Sequence, residues 1–414
     1  MRWHTLRMTR RSFTVAGAAA LFGTGLAGDA AAVDGRAPRG RRPRNTAFRG
    51  MWIASVANRD WPSKPGLPAE TQRAELLAYL DEAVRRRLNT VILQVRPTAD
   101  ALWPSDFEPW SAYLTGVQGK DPGWDPLGTA VLEAHRRGLE LHAWFNPYRV
   151  AGHADPSLLS PDHPARKNPD WLVPYGGKLY YNPGLPEVRS FVMRAMLDAV
   201  RKYPIDAVHW DDYFYPYPVA GETFDDGAAF ERYGAGFADR AAWRRDNTDQ
   251  LVRGMAAAIP KARKGVQFGI SPFGVWRNKA TDPLGSDTTA GVQTYDDLHA
   301  DVRKWIKRNW IDYVVPQLYW NMGFAPADYA KLVPWWADAV AGTDVDLYLG
   351  EALYKAGDPA QPAPWQDPAE LSRHLSYAGK HRQVRGHVYF AAREVVADPI
   401  GAMARVVADH YTLR

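Results

Sequence analysis

Ala207-Val208-His209-Trp210-Asp211-Asp212-Tyr213-Phe214-Tyr215-Pro216 is a short apolar run closed by two adjacent carboxylates, with aromatics and a proline directly behind them. Neighbouring side chains of a strand face opposite sides, so aspartates paired in mid-strand would leave one charge away from water. At a strand's end, where the backbone bends, both can turn into one cleft. The run therefore reads as a strand that ends in a site. Trp210, Tyr213, Phe214, Tyr215 and Tyr217 add flat, partly apolar surfaces with polar tips, as a sugar-binding groove needs. The plainer alternative is that Asp211 and Asp212 only cap the following loop, an ordinary turn role for aspartate.

Outward from this run, short apolar segments alternate with helix-period segments eight times. Strands are expected at 49–56, 90–95, 140–145, 207–210, 266–270, 313–318, 346–349 and 386–390. Helices are expected at 71–87, 127–137, 186–202, 239–259, 295–307, 326–340, 368–381 and 398–410. In the first helix Leu76, Leu77, Leu80 and Val84 recur at three- and four-residue intervals, as one buried face would. Eight strand-then-helix units make the fold class α/β, a (β/α)8 TIM barrel, with an open doubly wound sheet as the alternative.

A barrel puts its site at the C-terminal ends of its strands, and the polar and aromatic residues gather there. Ser55, Asn58, Asp60 and Trp61 follow strand one; Gln94, Arg96, Asp100 and Trp103 close strand two. Trp144, Asn146, Tyr148 and Arg149 close strand three; Ser271, Phe273 and Trp276 follow strand five. Gln317, Tyr319, Trp320 and Asn321 close strand six, Glu351 and Tyr354 follow strand seven, and Arg393 and Glu394 follow strand eight. The long connections 102–125 and 151–182, rich in Pro, Trp, Tyr and Asp, read as walls of a groove for a polymer.

Composition narrows the function. The chain has 414 residues and no cysteine, which excludes disulfides and thiolate metal sites. Its net charge of +5 is misleading, because nine arginines against Asp29 and Asp34 give the first 47 residues +7 and leave the remainder at −2. A nucleic-acid footprint on the folded part is therefore not expected.

The N-terminus reads as an address. Thr9-Arg10-Arg11-Ser12-Phe13 resembles the twin-arginine export signal, an apolar run follows at 13–26, and Ala30-Ala31-Ala32 offers small residues for cleavage. Residues 1–32 are expected to be a signal peptide, 33–47 a basic flexible linker, and 48–414 the barrel. The apolar run is short of the roughly 20 residues of a membrane span, so export to the envelope or exterior without a lasting span is expected; an uncleaved anchor is the alternative.

Cleavage of a glycosidic bond needs an acid for the leaving oxygen and a second group for the oxocarbenium-like centre. Like charges held close cannot both ionise easily, so adjacent aspartates retain one proton toward neutral pH. If the sugar carries a 2-acetamido group, that amide can be the nucleophile. Glu351 is the rival second carboxylate. His142, His209 and Asp211 around zinc are the metal alternative, but strand one carries no His-x-His pair, so no metal is expected. No phosphate loop, Ser elbow or nucleotide fingerprint occurs, and no cofactor is expected.

Phe48-Arg49-Gly50-Met51-Trp52-Ile53, Gln94-Val95-Arg96-Pro97 with Asp100-Ala101-Leu102, His142 through Arg149, His209 through Pro216, and Pro316-Gln317-Leu318-Tyr319-Trp320 together resemble the glycosyl hydrolase-like 10 family of exported bacterial proteins. The resemblance implies a TIM barrel acting on cell-envelope glycans, and members include glycosidases that cleave peptidoglycan strands stripped of stem peptides. Separately, the Asp-Asp pair looks like that of barrel hexosaminidases working through the substrate's N-acetyl group. That analogy implies that Asp211 orients the acetamido group and Asp212 is the acid/base. The expected polysaccharide contacts are Arg96, Asp100, Asn146, Tyr148, Arg149, His209, Tyr213, Tyr215, Trp276, Gln317, Tyr319, Trp320 and Tyr354, with Arg96 gripping a carboxylate such as the lactyl group of MurNAc. A barrel that binds glycan without cutting it is the remaining reading.

Overall fold

The structure, a computed structural model, describes residues 47–411. The expected leader at 1–32, and the expected linker up to residue 46, lie outside the described residues. Eight strands alternate with helices: β1 (Phe48–Ile53), β2 (Thr90–Arg96), β3 (Glu140–Phe145), β4 (Ala207–Trp210), β5 (Gln267–Ile270), β6 (Tyr313–Val314), β7 (Asp346–Glu351) and β8 (Val384–Tyr389). Each pairs in parallel with the next, and β8 closes on β1 with Phe48 opposite Gly386. The helix that follows each strand covers the outside: α1 (Ala69–Arg85), α2 (Pro126–Arg136), α3 (Pro186–Lys202), α4 (Arg240–Ala262), α5 (Val302–Lys307), α6 (Tyr329–Val340), α7 (Glu370–Ala378) and α8 (Ala402–His410). The chain is a TIM barrel, as the alternation implied.

Departures from the expected boundaries have local causes. Strand six shrinks to two residues because Pro316 has no N–H for the ladder; beyond it only Gln317 bridges to Phe273 and Gly350. The fifth helix begins at Val302 instead of 295, because His299 takes a positive φ and Asp301 caps by accepting the Lys304 N–H. In α1 the buried face runs through Leu76, Leu80 and Ala83, while Val84 is exposed. The loop after β3 folds into a three-stranded antiparallel sheet, Arg149–Ala151, Leu172–Tyr175 and Lys178–Tyr181. Its Val173, Tyr175 and Tyr180 pack on Tyr215 and Phe224 from the loop after β4.

Period-two alternation sends Phe48, Trp52, Ile92, Trp144, Ala207, Tyr313 and Tyr348 into one interior cluster, and the opposite faces into the core under the helices. Gly269 makes room for the Tyr313 ring, since a Cβ there would lie 1.9 Å from the ring's Cζ. Polar groups inside are satisfied in a fixed order. The Trp52 indole donates to His209 Nε2 at 3.1 Å, and an indole N–H can only donate. His209 Nδ1 therefore carries the proton toward the Tyr313 hydroxyl at 3.0 Å, which is left to donate to His142 Nδ1 at 2.8 Å. Burial, aided by His142, holds the His209 pKa well below its ordinary value, so the ring is neutral.

Candidate active site

The strand ends meet in a cleft of about 350 Å³. From the expected set it brings together Asp211, Asp212, Arg149, Tyr213, Gln317, Tyr319 and Trp320. β4 stops at Trp210, and the bend after it turns both carboxyls into the cleft, where they are 6% and 5% exposed.

The two aspartates are held differently. Asp211 Oδ2 accepts from Asn146 Nδ2 at 2.6 Å and from the Trp144 indole at 3.2 Å, and Oδ1 accepts from the Tyr213 N–H at 3.2 Å. Asn146 is itself oriented by Gln94, which donates to its Oδ1 at 2.6 Å. Asp212 accepts from the Tyr217 hydroxyl and from the Gln317 side chain. Burial raises the pKa of both carboxyls above the ordinary range. For Asp211 the rise is opposed by Arg149 and the three donors. For Asp212 it is reinforced by the Asp211 charge and reaches about 7. The partner with more donors and a nearby cation, Asp211, is thus the anion, and Asp212 keeps the proton toward neutral pH.

Other expected residues stand elsewhere. Asn146 donates to Asp211 without lining the cleft, His209 is fully buried behind its hydrogen bond from Trp52, and Tyr354 packs edge-on against Tyr319 and Phe390. Five expected contacts are corrected. Arg96 is fully buried and forked onto Glu108, with Nε to Oε2 at 2.6 Å, so no end is free for a substrate carboxylate. Asp100 lies in a separate groove with Tyr113 and Gln118, accepting from Thr98 Oγ1 at 3.1 Å. Tyr148 is in the core, Tyr215 is enclosed by Phe224 and His299, and Trp276 stacks on Trp335 under Arg303.

Glu351 is not brought to the aspartates. It is fully buried outside the barrel wall, accepting from the Tyr329 hydroxyl at 2.8 Å and pairing with His374 Nδ1 and His387 Nδ1, each at 2.9 Å. Burial pushes its pKa up, but the two histidines outweigh burial and hold it at about 2. Its surroundings keep a permanent anion in place.

The zinc alternative fails on the donor set: His142 and His209 both turn Nδ1 to Tyr313, and no cluster of three metal-ligating side chains occurs among the described residues. No helix of the described residues is long and apolar enough to cross a membrane. The cleft also contains Trp52, Arg59 and Phe390, which sequence reasoning did not single out. For Trp52 the signal was available, because it shares the parity of Phe48 and Gly50 on β1 and so points to the same face.

Comparison with known proteins agrees with this architecture. The glycoside hydrolase domain of PgaB (BpsB) from Bordetella bronchiseptica superposes with a TM-score of 0.53 at 14% identity, over 89% of this chain and 99% of that domain, a likeness of fold. Glycosyl hydrolase YngK of Bacillus subtilis (strain 168) is 50% identical over 366 residues, covering 88% of this chain and 72% of YngK. Glycosyl hydrolase DigH of Escherichia coli (strain K12) is 40% identical over 363 residues, covering 83% and 82%. These relatives support a glycosidase-type role. Because residues 47–367 match the family model described as Glycosyl hydrolase-like 10, and because relatives this similar span most of the chain, the protein belongs to the glycosyl hydrolase-like 10 family.

Proposed function

We propose that the chain is an exported glycoside hydrolase that cuts a glycosidic bond in a GlcNAc/MurNAc-type cell-wall glycan, with Asp212 as general acid/base and Asp211 as its partner. The observation that carries this reading is the division of labour in the cleft: one buried carboxyl held by three donors, its neighbour raised to about 7. Three donors on Asp211 make it a poor nucleophile. The same hold suits it to orient an acetamido N–H, so that the substrate's own carbonyl oxygen attacks C1 while Asp212 protonates the leaving oxygen. Asp212 then returns the proton balance by activating water against the cyclic intermediate, with net retention at C1. Aromatic walls from Tyr213, Tyr217, Phe273, Tyr319 and Trp320 suit stacked sugar rings. The paired arginines at Arg10 and Arg11 support export of the folded chain.

The test is release of new reducing ends from peptidoglycan strands freed of stem peptides. Turnover is expected. Strands bound without any new ends would establish a binding barrel instead, and sink the hydrolase reading.

A further inference from the structure

Two guanidinium groups reach the cleft, and they are held differently. Arg59 is paired with both Asp60 and Glu394 and lies over the Phe390 ring, 4.5 Å from its centroid. Arg149 is anchored by its Nε to the Pro97 carbonyl at 2.9 Å and lies over the Tyr213 ring, 5.2 Å from its centroid. Its backbone is fixed opposite Tyr180 in the small sheet. Among the described residues the forked outer end of Arg149 enters no ion pair, yet it lines the cleft beside the aspartates. A partly buried, pre-oriented guanidinium with its fork unpaired is a receptor for a planar anion.

We infer that Arg149 reads a carboxylate on the bound strand and is the residue that sets a preference for a carboxylate-bearing strand over its neutral counterpart. The inference rests on the glycan reading above for the kind of polymer, and on the cleft alone for the charge. Of the two guanidinium groups, Arg59 is already matched by two carboxylates, whereas Arg149 enters no ion pair among the described residues and offers its fork to a single anionic group. A doubly charged phosphate would meet only one available cation and a fixed anion close by. A carboxylate matches the flat fork. The sequence pointed to Arg96 for this task; Glu108 occupies that fork, and Arg149 is the arginine left open.

The experiment uses two ligands that differ only in this charge: peptide-free peptidoglycan strands, and the same strands with their lactyl carboxyls reduced to alcohols. Equilibrium binding is measured on the full chain carrying Asp212→Asn, so that no strand is cut during the measurement. A charge-assisted fork predicts roughly tenfold to hundredfold tighter binding of the unreduced strand. Adding Arg149→Gln should erase that preference, and adding Arg149→Lys should keep part of it. Equal affinity for both strands in the parent, or equal weakening of both by Arg149→Gln, would overturn the inference; the second outcome would mean that Arg149 serves only to neutralise Asp211. Cleavage by the unmodified chain is followed separately, so a strand bound with the expected preference but left uncut would refute the hydrolase reading and leave the carboxylate reading standing.

Discussion

Replacing Asp211 by Asn should move the alkaline limb of the pH profile, not merely lower its height. Asp212 must be protonated to act as the acid, and its pKa of about 7 makes activity fall as pH rises through that value. At pH 6 a carboxyl at about 7 is about 90% protonated, whereas one at the unperturbed value of 3.8 would be below about 1%, so the environment supplies roughly a hundredfold more acid. Burial is the larger cause and survives the substitution; the Asp211 charge is the second and does not. Two neighbouring carboxylates repel by roughly 2 kcal/mol at an effective dielectric near 20, or about 1.5 pH units. In Asp211→Asn the alkaline limb of kcat/KM on peptide-free strands should therefore shift down by roughly 1 to 2 pH units. A limb that stays in place, in a variant that folds, would refute the claim that the pair shares one proton.

Asp212→Asn should raise stability at alkaline pH. A carboxyl whose folded pKa lies above its unfolded one favours folding while protonated, and that contribution is lost as pH rises from about 3.8 through about 7. The variant should therefore match the parent in Tm near pH 4 and exceed it near pH 8; a lower Tm at pH 8 would contradict the burial argument. Glu351→Gln should act the opposite way, leaving kcat per folded molecule nearly unchanged while destabilising by about 3–5 kcal/mol at pH 7, since it strips the anion from two buried histidines. Its folded pKa is depressed, so this loss should shrink as pH falls from about 4.5 toward about 2. Wild-type stability with a hundredfold lower kcat would instead return Glu351 to the chemistry.

What could be read from the sequence divides along the strand pattern. The eight strands were legible because apolar runs and helical stripes alternate without a break, and the aspartate pair was legible because its charges fit only a strand end. Parity was the unused information. On β7, Tyr348 faces the interior, so Glu351 must face the helices, where it is found. On β2, parity alone would send Arg96 inward with Ile92 and Gln94, but the register against β3 shifts between Gln94 and Arg96, and no sequence rule announces that irregularity. Asp100, Tyr148, Tyr215 and Trp276 lie beyond strand ends, where the path of the loop and not its composition decides which side chains reach the cleft.

Whether Asp212 donates the proton is tested most directly by comparing leaving groups. An acid is needed when the departing oxygen belongs to a sugar, and is nearly dispensable when it belongs to a good leaving group such as dinitrophenolate. In Asp212→Asn, kcat on peptide-free strands should fall by about 10² to 10⁴, while bond cleavage in a dinitrophenyl glycoside of N-acetylglucosamine should fall far less. Equal losses on both substrates, or full activity on the strands, would show that the proton comes from another group.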